Sequence, residues 1–308
     1  MRLVTYLSGD GARIGAVLGN TVVDLRHWGE HAGVGVPVSM QQLIEDGARG
    51  IEAAHAALAA APKSAEAGSP GIMPLSGVRL LAPIPTPRRN VICLGRNYVE
   101  HALESAEARG AAAPPPAHPV YFTKATTAVT GPYDPIPYDA SVSTQIDWEA
   151  ELGVILGRSG KHIPEERALD YVFGYTVIND ITARDLQNQH LQWVLGKSID
   201  GSCPMGPWIV TADELHDPHR LHIALRVNGV TKQQSSTDKL IFTINTCISV
   251  LSRGTTLLAG DIIATGTPAG VGFARKPPEF LKPGDVVEAE IEEIGTIRNT
   301  VEAVAGRQ

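Results

Sequence analysis

The sequence has few cysteines, and their small number already narrows the class of protein. Three of the 308 residues are cysteine, namely Cys93, Cys203 and Cys247. Three scattered cysteines exclude a disulfide framework and a Cys-rich zinc site. Cys93 and Cys203 lie in apolar stretches, so we expect buried free thiols in a protein of the reducing cytoplasm.

The sequence also lacks long apolar runs and an excess of positive charge. No stretch approaches the ~18 consecutive apolar residues of a membrane span, and Met1 to Asp10 contain neither an apolar signal core nor a cleavage pattern. The formal net charge is −7, without a long run of lysine or arginine. Nucleic-acid binders carry a basic patch or stripe. We therefore expect neither a nucleic-acid nor a membrane partner.

Glycine and proline, in contrast, are abundant. They number 31 and 22 and together supply about one residue in six. Such frequent turn residues favour many short strands over a helical bundle. The hydrophobic fraction of 43% and the charged fraction of 19% are those of an ordered globular chain. The composition therefore predicts a β-rich α+β protein.

The length and one biased segment suggest how the chain is divided. At ~150 residues per domain, a chain of this length predicts two domains. The stretch from Pro62 to Pro74 is rich in Pro, Gly and Ser and has the composition of a linker. We therefore predict a small N-terminal domain over residues 1–80 and a larger domain over residues 81–308.

Local patterns place the predicted elements along the chain. The Ala-rich stretch 40–60 and the stretch 241–253, which ends near Gly254, predict helices. Asn228-Gly229, between two strand-like runs, predicts a hairpin turn. Strands are predicted over residues 2–7, 14–25, 91–94, 120–123, 145–156, 172–178, 207–210, 221–227, 230–234, 261–265, 286–294 and 296–301.

Two glutamates in a strand-like run are the first candidate for chemistry. Alternation along a strand puts Trp148, Ala150 and Leu152 on one face and Glu149 and Glu151 on the other. The two carboxylates are then ~6.6–6.8 Å apart along the strand. Paired like charges inside an apolar strand are costly without a cation. The alternative is a solvent-exposed face that carries two harmless glutamates.

A second acidic segment favours the cation. Asp180 follows a hydrophobic strand and is a natural third oxygen ligand. A set of carboxylates suits Mg²⁺ or Mn²⁺, with Ca²⁺ also possible, and does not suit zinc. Three carboxylates around one divalent ion leave a charge of −1, so Arg184 and Lys197 are candidate neighbouring cations. Asp185, in the same segment, has a simpler interpretation as the partner of an arginine or the cap of a turn.

A histidine and a glutamate follow another predicted strand. If residues 98–104 are helical, His101 and Glu104 lie on one face at i, i+3. A carboxylate that accepts a hydrogen bond from one imidazole nitrogen makes the other nitrogen a better base. The alternative is an exposed His/Glu pair on a surface helix.

Six segments, in this order along residues 90 to 301, together resemble the fumarylacetoacetate hydrolase family. They cover the whole of the predicted larger domain, and residues 1–80 resemble the small N-terminal domain of the family's longer bacterial members. The segments are Gly95-Arg96-Asn97-Tyr98 with His101, Trp148-Glu149-Ala150-Glu151-Leu152, the run from Asn179 to Gln187, Gly196-Lys197-Ser198-Ile199-Asp200, Cys203-Pro204-Met205-Gly206-Pro207, and the run from Ala264 to Gly272.

The resemblance implies a fold, a cofactor and an assembly. The fold is a mixed β-sandwich roll with a small N-terminal α+β domain, and the assembly is a homodimer. The cofactor is a divalent metal, Mg²⁺ or Mn²⁺, on Glu149, Glu151 and Asp180.

The resemblance also implies roles for single residues. His101 and Glu104 form the pair that activates water, and Lys197 and Gln187 contact the reacting oxygens. Arg184 belongs to the same substrate-binding motif, and Thr267 contacts the substrate carboxylate.

The activity implied by the resemblance is metal-dependent chemistry on a small 2-oxo acid. We expect hydrolysis of the C–C bond of a 2,4-dioxo acid, of the acylpyruvate or fumarylpyruvate type, through a metal-bound enolate. The alternatives are an oxaloacetate decarboxylase, or a hydratase or isomerase of a 2-oxo dicarboxylic acid in aromatic catabolism. A metal-stabilised binding protein for a dicarboxylate is a further alternative, but such a protein has no need of His101 beside Glu104.

The segment after the predicted helix is low in complexity. Residues 105–119 are dominated by alanine and proline and include Pro114-Pro115-Pro116. They predict either a loose surface loop or a lid that orders when ligand binds.

Overall fold

The computed structural model describes residues 1–9, 11–62, 68–110 and 114–304, and within them strands far outnumber helices. The helices are α1 (Leu25–His31), α2 (Met40–Glu45), α3 (Ala48–Ala60), α4 (Val99–Ala108), α5 (Arg184–Gln189), α6 (Val194–Lys197) and α7 (Ile244–Ser252). The strands are β1 (Arg2–Ser8), β2 (Gly11–Leu18), β3 (Thr21–Asp24), β4 (Ile72–Pro74), β5 (Arg79–Leu80), β6 (Val91–Gly95), β7 (Val120–Lys124), β8 (Val129–Thr130), β9 (Ile136–Tyr138), β10 (Ile146–Asp147), β11 (Ala150–Leu156), β12 (Val172–Asn179), β13 (Thr182–Ala183), β14 (Cys203–Thr211), β15 (His222–Val227), β16 (Val230–Ser236), β17 (Ile262–Ala264), β18 (Val286–Ile291) and β19 (Gly295–Ala303).

Most strands belong to one large mixed sheet. Its order is β4-β3-β2-β1-β14-β12-β11-β17-β6-β7, with β5 and β8 added at the side of β1 and β14. The N-terminal strands join the rest through β1 and β14, where Leu3 pairs with Ile209. Residues before 80 thus share a sheet with the later strands, and the domain boundary near residue 80 stays a prediction.

A second sheet of five strands, in the order β16-β15-β18-β19-β9, packs on one face of the large sheet. Leu152 and Val154 from β11 lie in the same buried cluster as Ile223 from β15 and Val287 from β18. Trp148, Ala150 and Leu156 are also in that cluster. These apolar residues therefore lie on one face of the strand, as the alternation in the sequence predicts.

The opposite face of the large sheet is covered by the N-terminal helices. Leu43 of α2 and Ala54 of α3 are buried with Leu3 of β1, Ile178 of β12 and Ile209 of β14. Because β12 is buried on both faces, most residues in its sequence are apolar. The β-rich α+β fold that the sequence predicts is confirmed.

Several predicted elements are divided by turns. The run 14–25 forms β2 and β3, which are joined at Gly19-Asn20, and the stretch 40–60 forms α2 and α3, which are separated at Gly47 with φ 58°. The hairpin at Asn228-Gly229 is confirmed, with both residues at positive φ. In the predicted lid, residues 105–108 form the end of α4, and residues 111–113 lie outside the described residues. No helix in the described ranges is long and apolar enough to cross a membrane.

Candidate active site

Three carboxylates meet where β11 begins and β12 ends. Ala150 pairs with Asn179, so this register brings Glu149 and Glu151 next to Asp180. One carboxylate oxygen from each residue lies within 4.8 Å of the others, and all three residues are buried. Glu149 lies in the short break between β10 and β11, where its backbone N–H donates to Asn179 Oδ1 at 3.0 Å. The exposed-face alternative for the two glutamates is therefore wrong.

Two of these carboxylates are paired with buried cations. Lys197 Nζ donates to Glu149 Oε2 at 2.7 Å and to Asp180 Oδ2 at 2.6 Å. Arg184 Nη2 is 2.6 Å from Glu149 Oε1. Burial alone would raise the pKa of Glu149, but Lys197 and Arg184 outweigh it and hold that pKa well below the usual range. The pKa of Lys197 is raised, because Asp180 and Glu149 outweigh the effect of burial.

Glu151 differs from its two neighbours, because no lysine or arginine among the described residues forms an ion pair with it. Its Oε2 accepts a hydrogen bond from the Gly266 N–H at 2.8 Å. Burial, followed by the charges of Asp180 and Glu149, raises the pKa of Glu151 well above the usual range. A buried carboxylate without a cation beside two others is a suitable ligand for a divalent ion. The donor set of three carboxylates fits Mg²⁺ or Mn²⁺.

The structure adds Lys124, which the sequence did not single out. Lys124 ends β7 and is fully buried; its Nζ donates to Asp180 Oδ1 at 2.7 Å and to the Ile181 carbonyl at 2.9 Å. Asp180 is thus held between two lysines. The signal in the sequence was a lysine at the end of an otherwise apolar strand.

We expect Lys124→Met to weaken both the fold and the metal site. The variant keeps an unbranched apolar stem but leaves Asp180 Oδ1 and the Ile181 carbonyl without this donor, at a cost of about 1–3 kcal/mol. Loss of a partner behind a ligand typically lowers metal affinity by about 10–100-fold. Thermal unfolding and Mn²⁺ titration, with the exposed Lys161→Met as control, measure the two effects. Wild-type Mn²⁺ affinity in Lys124→Met would contradict this role.

The helix α4 carries the predicted acid–base pair. His101 Nδ1 is 2.9 Å from Glu104 Oε1, and His101 is buried. The Gly270 N–H donates to both oxygens of Glu104, at 3.1 and 3.0 Å. An ionised Glu104 requires the ring proton on Nδ1, which leaves Nε2 as the basic nitrogen of a neutral imidazole. The alternative of an exposed surface pair is wrong for His101.

Arg184 holds several parts of the site together. Its Nε donates to Asp147 Oδ2 at 2.8 Å, and its Nη1 donates to Gln187 Oε1 at 3.1 Å. Asp147 also accepts from the backbone N–H groups of Gly272 and Phe273, at 2.6 and 3.0 Å. Asp147 therefore ties the helix α5 to the loop after β17, a role that the sequence gave no reason to expect.

Thr267 lies in that same loop, with its hydroxyl already engaged. It donates to the Ala150 carbonyl at 2.9 Å and accepts from Gln233 Nε2 at 2.8 Å. A substrate carboxylate at Thr267 would have to attract the hydroxyl proton away from Ala150. The predicted contact to the substrate stays a prediction.

Seven of the nine predicted site residues line one cleft. The other two, Glu104 and Asp180, do not line it; each makes its contact through a lining residue, His101 and Lys197 respectively. The walls also include four apolar side chains and two further arginines. The predicted residues in the cleft are His101, Glu149, Glu151, Arg184, Gln187, Lys197 and Thr267, and the others named are Leu94, Phe122, Trp193, Phe273, Arg96 and Arg109.

Other candidates proved to be structural. Asp185 Oδ1 accepts from the Ser143 hydroxyl at 2.6 Å and from the Leu186 N–H at 2.8 Å, so it satisfies an N–H of the first turn of α5 and ties that turn to Ser143. Cys93 and Cys203 are buried and free, as predicted. Burial is the main cause that raises the pKa of Cys203 to about 12, so this thiol stays protonated at neutral pH.

Comparison with known proteins shows the family of this chain. A family model described as fumarylacetoacetate (FAA) hydrolase C-terminal matches residues 90–302. The oxaloacetate tautomerase YisK of Bacillus subtilis is 45% identical over 266 residues, which cover 86% of this chain and 87% of that protein. The mitochondrial oxaloacetate tautomerase fahd2 of Xenopus laevis is 42% identical over 307 residues, 98% of this chain and 90% of that protein.

Solved structures give the same result. A maleylpyruvate hydrolase from Sphingobium, in complex with manganese(II) and pyruvate, has a TM-score of 0.76 and 31% identity, with coverage of 99% of this chain and 100% of that chain. A fumarylacetoacetate hydrolase from Exiguobacterium antarcticum has a TM-score of 0.80 and 39% identity at the same coverage. On the match over residues 90–302 and on these identities, the chain belongs to the fumarylacetoacetate hydrolase family.

Proposed function

We propose that this protein is a divalent-metal-dependent enzyme that interconverts the keto and enol forms of oxaloacetate or a closely similar 2-oxo dicarboxylic acid. The observation that carries the proposal is the position of His101, a buried base that lines the same cleft as two of the three clustered carboxylates. Tautomerisation needs one base at C3 and cations that stabilise charge on the 2-oxo oxygen. The cleft contains both, and the relatives named oxaloacetate tautomerase support this reaction.

The acidic cluster and its neighbouring cations supply the electrostatic part of the reaction. Glu149, Glu151 and Asp180 would hold Mg²⁺ or Mn²⁺, which supplies a Lewis acid for the 2-oxo acid group. Lys197 is buried and its pKa is raised, so it remains protonated at neutral pH. As negative charge develops on the substrate oxygen, Lys197 stabilises it in a site that is largely closed to water.

The proton moves by way of His101. In the keto-to-enol direction Nε2 takes a proton from C3, solvent gives a proton to the 2-oxo oxygen, and the imidazolium then loses its proton to solvent. In the reverse direction the imidazolium gives a proton to C3, the enol oxygen loses its proton to solvent, and the ring is protonated again from solvent. Glu104 fixes the ring orientation throughout and is itself held by the Gly270 N–H. It is a positioning residue, and it stabilises the imidazolium while that cation exists.

Hydrolysis of an acylpyruvate is the second candidate function. The structural similarity to a maleylpyruvate hydrolase in complex with manganese and pyruvate favours it. In that reaction His101 Nε2 takes a proton from water, the hydroxide adds to the C4 carbonyl, and the C3–C4 bond breaks to release a carboxylic acid and the enolate of pyruvate. The imidazolium then gives its proton to C3 of the enolate, which forms pyruvate. Hydrolysis needs a positioned water in addition to the groups that tautomerisation uses, so tautomerisation is the simpler proposal.

One experiment separates the two reactions. Purified protein with Mg²⁺ or Mn²⁺ is mixed with freshly dissolved enol-oxaloacetate, and loss of the enol is followed by ultraviolet absorbance against a protein-free control. In parallel, acetylpyruvate is assayed for release of pyruvate, and oxaloacetate for release of carbon dioxide. We expect the largest rate enhancement for loss of the enol. Pyruvate release from acetylpyruvate at a higher kcat/KM would favour hydrolysis, and absence of all three activities would overturn both candidates.

The predicted assembly and location are part of the same proposal. We propose a homodimer, as the family resemblance implies, and sedimentation equilibrium of the purified protein tests it. We also propose a reducing compartment, which the three free, buried cysteines support.

A further inference from the structure

Three arginines line the active-site cleft, and only one of them has carboxylate partners. Arg184 is paired with Asp147 and Glu149. Arg96 and Arg109 form no ion pair with any residue in the described ranges. Arg96 is partly buried, and a guanidinium group in such a site is normally paired. Arg109 is exposed, but it lines the same cleft.

Arg96 is held in place by its backbone. It follows β6 with φ 55°, in the left-handed region that arginine rarely adopts. The next residue, Asn97, fixes this conformation, because its side chain donates to the Thr265 and Phe242 carbonyls at 2.8 and 3.0 Å. Arg96 Nε is buried and has no hydrogen-bond partner in the described part of the chain. Strained backbone of this kind clusters at ligand sites.

Arg109 reaches the same cleft from another element. It follows the last turn of α4, and its guanidinium lies 5.5 Å from the centre of the Phe273 ring, while Arg184 lies 4.5 Å from that ring. Burial lowers the pKa of Arg109, and the charges of Arg184 and Arg96 lower it further. The three positive groups therefore repel one another at this end of the cleft, and an anion would relieve the repulsion.

We infer that Arg96 and Arg109 bind the second carboxylate of the substrate and so restrict the enzyme to 2-oxo dicarboxylates. This inference rests on the proposed function, which concerns the reacting end of the substrate. The carboxylate cluster and Lys197 engage the 2-oxo acid end, and the two unpaired arginines supply the positive charge for the other end. A monocarboxylate would leave both guanidinium groups unpaired.

Because Arg109 is carried by the same helix as His101, the second carboxylate would also influence the base. A ligand held by Arg109 holds the end of α4 against Phe273 and keeps His101 in the cleft. A dicarboxylate is therefore favoured in two ways: it binds more tightly, and it keeps the base in place.

The test compares two inert ligands that differ only in the distal group. L-malate and L-lactate share a carboxylate and a 2-hydroxyl group, but only malate has a second carboxylate. With saturating Mg²⁺, we expect calorimetry to show malate binding at least 10-fold tighter than lactate to the wild type. Arg96→Gln and Arg109→Gln are each expected to weaken malate binding by about 10–50-fold, since each leaves a charged group without its partner.

The controls separate distal recognition from a general change in charge. Both variants are expected to bind lactate and oxalate within twofold of the wild type. Arg109→Lys, which keeps the charge, is expected to lose less malate affinity than Arg109→Gln. The exposed Arg253→Gln is expected to match the wild type for all three ligands.

The outcomes also separate this inference from the proposed function. Equal affinity of the wild type for malate and lactate, or equal losses for malate and oxalate in the variants, would overturn the role of the two arginines. Because the ligands are inert, this result does not depend on turnover. Failure of the wild type to accelerate loss of enol-oxaloacetate would overturn the proposed function alone.

Discussion

His101→Ala is expected to lower kcat for oxaloacetate tautomerisation by about 10²–10⁴-fold, the usual contribution of a positioned general acid–base. The residue is buried and lines the cleft, and its Nδ1 lies 2.9 Å from Glu104 Oε1, so an ionised Glu104 leaves Nε2 free to act as the base. In His101→Ala, no other side chain of the described residues occupies the position of the base. The variant should keep its affinity for Mn²⁺, since His101 is not one of the three clustered carboxylates. Stopped-flow absorbance of the enol and Mn²⁺ titration measure the two quantities.

Two further variants distinguish catalysis from a structural role of the helix. Glu104→Gln is expected to cost only part of the His101 effect, because a neutral amide can still orient the ring but no longer stabilises the imidazolium. The exposed His222→Ala should behave as the wild type. Unchanged kcat in His101→Ala at saturating oxaloacetate would exclude His101 as the base. A loss that appears only in KM would assign it to closing the cleft.

His101 also helps to separate the alternatives for the reaction. Hydrolysis of an acylpyruvate would depend on the same nitrogen to activate water, so its rate should fall by a similar factor. Decarboxylation of oxaloacetate requires no activated water, and its rate should fall less, because solvent can supply the final proton. Equal loss in all three reactions would indicate a role of His101 that precedes chemistry.

The sequence located the acidic cluster because strand alternation is a local rule. Glu149 and Glu151 are two residues apart, and the apolar residues between and beyond them lie on the predicted face. The pairing of Asp180 with them depends on the register Ala150↔Asn179, which no local pattern specifies. The family resemblance supplied that link, and the structure shows its geometric basis.

Contacts between segments that are far apart in the chain could not be predicted from the sequence. Lys124 meets Asp180 across 56 positions, and Asp147 meets Gly272 across 125. Each is an ordinary polar residue in its own segment and becomes part of the site only when the sheets assemble. The break in the strand at Glu149 was missed for the same reason, since it depends on the amide of Asn179.

Glu149→Gln and Glu151→Gln are expected to affect the metal-free protein differently. Glu149 balances Lys197 and Arg184, both buried. Breaking a buried ion pair costs about 3–5 kcal/mol, and the lower end applies because Lys197 keeps Asp180 and Arg184 keeps Asp147. A loss of about 3 kcal/mol lowers Tm by about 5 °C for a chain of this length. Glu151 has no cation partner among the described residues, so Glu151→Gln should leave Tm unchanged or raise it.

The Tm increase caused by metal should be small in both variants, unlike that of the wild type. At a metal concentration about 100 times Kd, binding stabilises a folded protein by about 2.7 kcal/mol, so Mn²⁺ should raise the wild-type Tm by about 4 °C. Each glutamine removes one anionic ligand and should abolish most of this increase. Calorimetric scans of each protein with EDTA and with Mn²⁺ measure these Tm values, and Glu288→Gln, outside the cleft, serves as the control. A destabilised Glu151→Gln in EDTA would mean that this carboxylate has a cation partner. A full Mn²⁺ response in either variant would mean that the ion binds elsewhere.

If Mn²⁺ stabilises only the wild type, the ion binds among Glu149, Glu151 and Asp180. No other group of three His, Cys, Asp or Glu side chains in the described residues is arranged to hold a metal ion.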